Sequence, residues 1–257
     1  MISIKNAAQI EKMRQAGQLL HYVMMKLCEV IHEGETTAAI DAYAEELIRR
    51  HGAVPSFLNY QGYPASICAS VDDEVVHGIP NDRKVLKNGS ILSIDCGLIL
   101  DGWQADSAFT VGIGPISPEK QKLIEVTEQC FFEGVRQAVA GNRIGDIGCA
   151  IQTFAESRGY GVVRDLTGHG IGRAMHEDPS VPNFGVKGQG VRLRAGMTLA
   201  VEPMITLGTW RIKTLDDGWT IKTLDGSACA HYEHTIAVSE EGLPEILTLP
   251  GFVWPEG

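Results

Sequence analysis

Apolar residues recur at helical spacing in four stretches of the chain and at strand spacing in much of the rest. From Ala7 to His32, the positions Ile10, Met13, Leu19, Leu20, Val23 and Leu27 mark one face of a long amphipathic helix. Ile40, Ala44, Leu47 and Ile48 mark a second, which opens after Gly34 and stops at Gly52. Pro118 suits the first turn of a third helix, Glu119 to Ala140, and Ile147, Ile151, Phe154 and Ala155 mark a fourth between Gly141 and Gly159. Short apolar runs bounded by turn residues predict strands near Ser66 to Ser70, Ile91 to Cys96, Ala105 to Gly112, Gly161 to Arg164, Met197 to Met204 and His231 to Val238. Helices that alternate with mostly antiparallel strands place the chain in the α+β class.

The pattern repeats with a constant offset. Gly34 and Gly141 are 107 residues apart, as are Gly52 and Gly159, the turns Asn88-Gly89 and Ala195-Gly196, and the acidic residues Asp95 and Glu202. Asp106 and Glu233 are 127 apart, so the second half carries an insertion before Glu233. It is visible as Ile212-Lys213-Thr214-Leu215 and Trp219-Thr220-Ile221-Lys222 around Asp217-Gly218, which read as two alternating strands about a hairpin turn. Similar αβ units can match by chance, but an offset that holds across helix, turn and acidic residue favours duplication. One domain with related halves at 1–112 and 113–257 is expected, and the paired acidic residues should meet near the axis between them.

Those acidic residues stand in apolar settings. Asp95 closes Ile91-Leu92-Ser93-Ile94, Glu202 follows Thr198-Leu199-Ala200-Val201, and Glu233 precedes His234-Thr235-Ile236-Ala237-Val238. A turn at Asp101-Gly102 would set Asp95 and Asp106 on paired strands, within about two residues of facing each other. Unpartnered buried carboxylates neutralise or destabilise a fold. Two divalent cations would offset four such charges and leave a neutral imidazole to complete the set. His169, in Thr167-Gly168-His169-Gly170-Ile171-Gly172, is the candidate, because flanking glycines allow close backbone approach to a ligand. Oxygen donors with one imidazole suit manganese, iron(II), cobalt or zinc. His77 and His176 are equally open to a structural or a functional reading. His21, His32 and His51 fall on helices or their ends, while His231 and His234 flank Glu233 and are open to a role behind the ligands; all five are left outside the site, His234 because strand alternation turns it away from Glu233.

Composition narrows the partners. A net charge of -10 and a pI near 5.3 over 257 residues argue against nucleic acid as the main ligand. The N-terminal segment lacks the apolar region of a signal peptide, and no run approaches the roughly 18 apolar residues of a membrane span, so cytoplasmic residence without a membrane partner is expected. Cys28, Cys68, Cys96, Cys130, Cys149 and Cys229 show no C-x-x-C spacing and read as reduced, mostly buried thiols.

Taken in order, Ile94-Asp95, Asp106-Ser107, Gly168-His169-Gly170-Ile171-Gly172-Arg173, Val201-Glu202-Pro203-Met204, Asp217-Gly218-Trp219-Thr220 and Tyr232-Glu233-His234-Thr235 resemble the type I methionine aminopeptidases of bacteria. The resemblance runs from Ile2 to Leu249 and implies their pita-bread fold, with two pseudo-twofold αβ halves. It implies that Asp106 and Glu233 bridge two metal ions, that Asp95 completes one and that His169 with Glu202 completes the other. A bridging water or hydroxide would attack the carbonyl of an initiator methionine, with a small second residue preferred. Glu202 would be the general base, His176 would hydrogen-bond the scissile amide, and His77 would contact substrate beside it. Tyr60, Tyr63, Cys68 and Trp219 match the family's methionine pocket. Two positions depart, Phe57 where cysteine is common and Met175 where phenylalanine is common. Substrates would be N-terminal methionine peptides and nascent chains. A monomer is expected, and ribosome association is left open. The alternatives are an X-Pro dipeptidase or aminopeptidase of the same fold, a binding protein that has lost catalysis, and a metal-stabilised structural protein. Retained ligand positions weigh against loss of catalysis, and the Trp219 hairpin weighs against the X-Pro enzymes.

Overall fold

The computed structural model describes residues 2–255. Four helices form where the apolar spacing requires them: α1 Ala7–Val30, α2 Thr37–Arg50, α3 Pro118–Val135 and α4 Ile144–Glu156. Each begins on a side chain that satisfies otherwise orphaned amides. Asn6 and Gln9 form a reciprocal capping box, Thr36 and Ser117 accept from the third amide of their helices, and Asp146 reaches back to the amide of Arg143. The third helix stops short of the expected Ala140. Its last amides close i to i+3 bonds, Gln137 to Gly134 and Ala138 to Val135, and Asn142 caps the Gln137 carbonyl, so Ala138 can turn into the core. Gly134 brings α3 against α4, since a methyl there would come within 2.6 Å of Ile151.

A nine-stranded sheet runs through the molecule in the order Val54–Pro55, Ile91–Leu100, Trp103–Gly112, Glu233–Ala237, Thr198–Val201, Thr167–Gly170, Glu177–Pro182. Ile67–Val71 also pairs with Ile91–Leu100, and Glu245–Ile246 with Glu233–Ala237. Every described pairing is antiparallel. The Asp101-Gly102 turn has positive φ at both residues, 51° and 76°, which matches the twist of the flanking strands. The second hairpin is looser than the sequence implies. Ile212–Thr214 pairs with Ile221–Thr223, while Trp219 and Thr220 belong to the connecting loop, where the Asp217 carboxylate accepts from both their amides.

Two expected strands are interrupted at matching places. The run from Met197 to Met204 divides into Thr198–Val201 in the large sheet and Met204–Thr206 in a small one, with Glu202-Pro203 between. The run from His231 to Val238 divides at Tyr232, with Cys229–His231 following Met204–Thr206 into the small sheet. Proline has no amide for the ladder, so pairing stops at Pro203 and the neighbouring strand leaves with it. One core cluster gathers α1 and α2 with Ile67, Leu92, Ile94 and Leu98; another gathers α3 and α4 with Leu199, Val201 and Ile236. No helix among the described residues is long and apolar enough to cross a membrane.

Candidate functional site

Sheet register assembles the acidic residues. Asp95 faces Ala108, and Ala108 faces Glu233 on its other side, so two carboxylates flank one small side chain across three strands. Asp106 pairs with Gly97, two residues along from the Asp95 rung, as the hairpin turn required. His169 faces Ala200, which faces Thr235, and Thr235 Oγ1 donates to the Asp106 carbonyl and accepts its amide. Glu202 joins from the break beside Pro203, its carbonyl held by the Asn183 amide at 2.9 Å. The sequence-predicted set Asp95, Asp106, His169, Glu202 and Glu233 lines one cavity of about 330 Å³.

The polar atoms in this cluster are under-satisfied. Among the described residues, Asp95 Oδ1, Asp106 Oδ1, Glu233 Oε1 and His231 Nε2 are buried without a hydrogen-bond partner. Such orphans cost about 1–3 kcal/mol each unless something else neutralises them. Burial pushes Asp95 up to about 7; burial, then repulsion from Asp95 and Glu202, pushes Asp106 well above the carboxylate range, and burial, then repulsion from Asp106, Glu202 and Asp95, does the same to Glu233. Glu202 is raised likewise, by burial and then by Asp95. His169 donates Nδ1–H to the Gly170 carbonyl at 2.9 Å, which leaves the Nε2 lone pair facing Asp106 and Glu202 at 3.8 and 3.7 Å. Burial, then the nearby His176, lowers its pKa to about 4, so the ring is neutral. Asp106, His169 and Glu233 present ligand atoms within 4.8 Å of one another, as do Asp95, His231 and Glu233. Orphaned carboxylates and a neutral imidazole in a closed cluster fit divalent cations of the oxygen- and nitrogen-loving kind.

The glycines around His169 serve a purpose other than ligand approach. A methyl on Gly168 would press into the carbonyl oxygen of Ala200, and one on Gly170 into that of Asp178. They let three strands lie close, and the imidazole is aimed by that packing.

An apolar wall adjoins the acidic cluster. Phe57, Tyr63, Ala65, Cys68 and Met175 pack together with Tyr60, Ile79 and Trp219 against them. Cys68 pairs with Asp95 across the sheet, and burial followed by that carboxylate drives its pKa well up, so it remains a neutral thiol. Tyr63 is fixed by donating to the carbonyls of Ile67 and Gly78. His176 takes a 2.7 Å hydrogen bond between Nδ1 and the Tyr60 hydroxyl, and its ring lies 4.2 Å from that of His169. His77 sits at φ 58°, facing Trp219, with its pKa lowered to about 4 by burial and then by His176. All eight substrate-contact candidates line the same cavity.

Two residues at the site were not singled out in the sequence. Gln61 lines the cavity from a backbone with φ 51°, a conformation that its sequence gives no means of anticipating. His231 lies with Nε2 3.6 Å from Glu233 Oε2, although the sequence reading left it outside. Period-two alternation already put residues 231 and 233 on one face, and that was the available signal. His234 does turn away, bonding Ser107, Thr248 and the Tyr232 hydroxyl on the helix-covered face. Of the thiols, Cys28 is exposed rather than buried, and all six are free.

The geometry has counterparts among known proteins. The model of Metallopeptidase family M24 matches residues 11–240. A methionine aminopeptidase of Clostridium acetobutylicum is 53% identical over 97% of this chain and 99% of its own, and methionine aminopeptidase 1 of Bacillus subtilis is 46% identical over 96% and 99%. The crystal structure of methionine aminopeptidase from Rickettsia prowazekii superposes with a TM-score of 0.95 at 43% identity, covering 97% of this chain and all of its own. The prolidase of Pyrococcus horikoshii shares the fold at a TM-score of 0.77 and 21% identity, with this chain spanning 63% of it.

Proposed function

Because this chain belongs to metallopeptidase family M24, we propose that it works as a methionine aminopeptidase, removing the first residue from peptides and nascent chains that begin with methionine. One observation carries the reading: the buried acidic cluster opens directly onto an apolar, aromatic-walled pocket in a single cavity. A methionine side chain is unbranched and polarizable, and it packs well on aromatic edges. Phe57, Tyr63, Cys68, Met175 and Trp219 offer such a wall. With no charged group among them, the wall favours a neutral side chain.

Asp95, Asp106, His169, Glu202 and Glu233 are assigned the role of holding two divalent cations, from among manganese, iron(II), cobalt and zinc. Such ions supply Lewis acidity toward a carbonyl oxygen and acidify water. The protein groups do the rest. Glu202 accepts a proton from the water that adds to the carbonyl carbon and delivers it to the departing amine as the C–N bond breaks. We assign the 2.7 Å hydrogen bond as running from the Tyr60 hydroxyl to Nδ1, which leaves His176 a proton on Nε2 to donate to the oxygen that gains charge. His77, neutral and braced against Trp219, contacts the peptide beside the scissile bond. A second residue with a bulky side chain would crowd the acidic cluster, so alanine, glycine and serine are preferred there.

The test is hydrolysis. Metal-loaded protein is expected to release methionine from Met-Ala-Ser and to leave X-Pro dipeptides intact. Folded, metal-loaded protein that is inert toward Met-Ala-Ser would refute the assignment, and preferential cleavage of X-Pro would transfer it to the prolidases.

A further inference from the structure

His231 stands to Glu233 as His169 stands to Asp106 and Glu202. The Nε2–Oε2 distance at His231 is 3.6 Å, against 3.8 and 3.7 Å at His169. These separations are too long for a hydrogen bond. They are close to what two donors at about 2.0–2.2 Å from one cation leave between themselves. His231 is 1% exposed, and its Nε2 is an orphan, as are Asp95 Oδ1 and Glu233 Oε1. The three side chains form a triad with ligand atoms within 4.8 Å of one another, separate from the triad of Asp106, His169 and Glu233 apart from the shared Glu233. The departure of Cys229–His231 into the small sheet is what delivers this ring, because it ends a strand beside the Tyr232 break.

We propose that His231 is an additional metal ligand, supplying an imidazole to the cation held by Asp95 and Glu233, so that each half of the centre has one nitrogen donor. The proposal rests on the metal-centre reading above and changes its ligand set from five side chains to six. A second imidazole raises the preference of the Asp95 side for borderline cations such as zinc and cobalt over magnesium or calcium, which favour oxygen alone.

Full-length protein loaded with two equivalents of cobalt(II) provides the test, by X-ray absorption with imidazole scattering counted per metal. One imidazole per cobalt is expected in the native chain, falling to one for every two cobalts in His231→Gln. The same variant is expected to bind one of its two cobalt equivalents about 10- to 100-fold more weakly in a chelator competition. His169→Ala is the control and should lose the other imidazole. A native count of one for every two cobalts overturns the proposal and leaves the five-ligand centre standing, whatever the variant's affinity. Failure of the native protein to take up cobalt defeats the underlying reading, and the proposal with it. Because the native count decides by itself, a variant that did not fold would not protect the proposal.

Discussion

At the scale of single residues, the site depends on small side chains as much as on donors. Ala108 sits between Asp95 and Glu233, and Ala200 between His169 and Thr235, on adjacent strands. Gly168 and Gly170 have no room for a methyl. Gly168→Ala is expected to destabilise the protein by about 1–3 kcal/mol through overpacking, read as a lower denaturant midpoint, and to weaken metal retention by displacing His169. An unchanged midpoint would show that the strands can give. Glu202→Gln keeps shape and removes the basic oxygen. Turnover of Met-Ala-Ser should fall by roughly 10²–10⁴ with the thermal melt of the metal-free protein preserved. Full activity in that variant would remove Glu202 from proton transfer.

At the scale of elements, a segment before α1 steadies the loop that carries Met175 and His176. Lys5 is almost fully buried and donates to Glu177 at 2.6 Å, while Glu177 also accepts the amides of Arg173 and Ala174. Burial opposes the charge on Glu177, but the Lys5 hydrogen bond and those amides outweigh it and hold its pKa below the ordinary 4.5. A depressed folded pKa gives stability that is present above the unfolded value and lost as pH falls through the folded one. Lys5→Met should therefore lower the melting temperature near neutral pH, with the difference from the parent narrowing as pH falls below about 4.5. It should also lower kcat by about tenfold through mispositioned His176, with Lys5→Arg restoring much of both. If Lys5→Arg behaves like Lys5→Met, or neither differs from the parent, the segment does not steady the loop. Much of this level was legible in the sequence. The Asp-Gly turn fixed the Asp95–Asp106 register, and glycine and proline marked the helix ends. The early stop of α3 was partly legible: Gly134 stands one residue before its end, but the apolar pattern continues past it through Val135 and Ala138, both buried. The sheet change at Glu202-Pro203 and Tyr232 was half legible: proline announced an end, but nothing announced that the neighbouring strand would follow. His231 was legible through its alternation with Glu233, whereas the Lys5–Glu177 pair, 172 residues apart, leaves no local trace.

At the scale of the whole molecule, the acidic cluster sets how stability responds to pH. Asp95 at about 7, and Asp106, Glu202 and Glu233 higher than their ordinary 3.8 and 4.5, all have folded values above unfolded ones. Stability from such groups is complete below the unfolded values and drains away as pH rises through the folded ones. Chelator-treated protein should melt at progressively lower temperature between about pH 5 and about pH 8. Saturating divalent cation should reverse this, by about 2.7 kcal/mol at a hundredfold excess over Kd, with the gain growing as protons cease to compete. A metal-free melt that is flat or rises over that interval would contradict the charge balance. The break beside Pro203 bears on motion as well as position. Asp95, Asp106 and Glu233 are each clamped by ladder bonds on their own strands, whereas Glu202 lies between two strands and belongs to neither. On the proposed assignment Glu202 collects a proton on one side of a bond and surrenders it on the other, and it alone of the four carboxylates leaves the backbone from a break in the ladder rather than from a paired strand. If Glu202 is the proposed proton carrier, restoring an amide to the ladder with Pro203→Ala should lower turnover of Met-Ala-Ser while metal uptake is unchanged, and unchanged turnover would show that the break serves position alone.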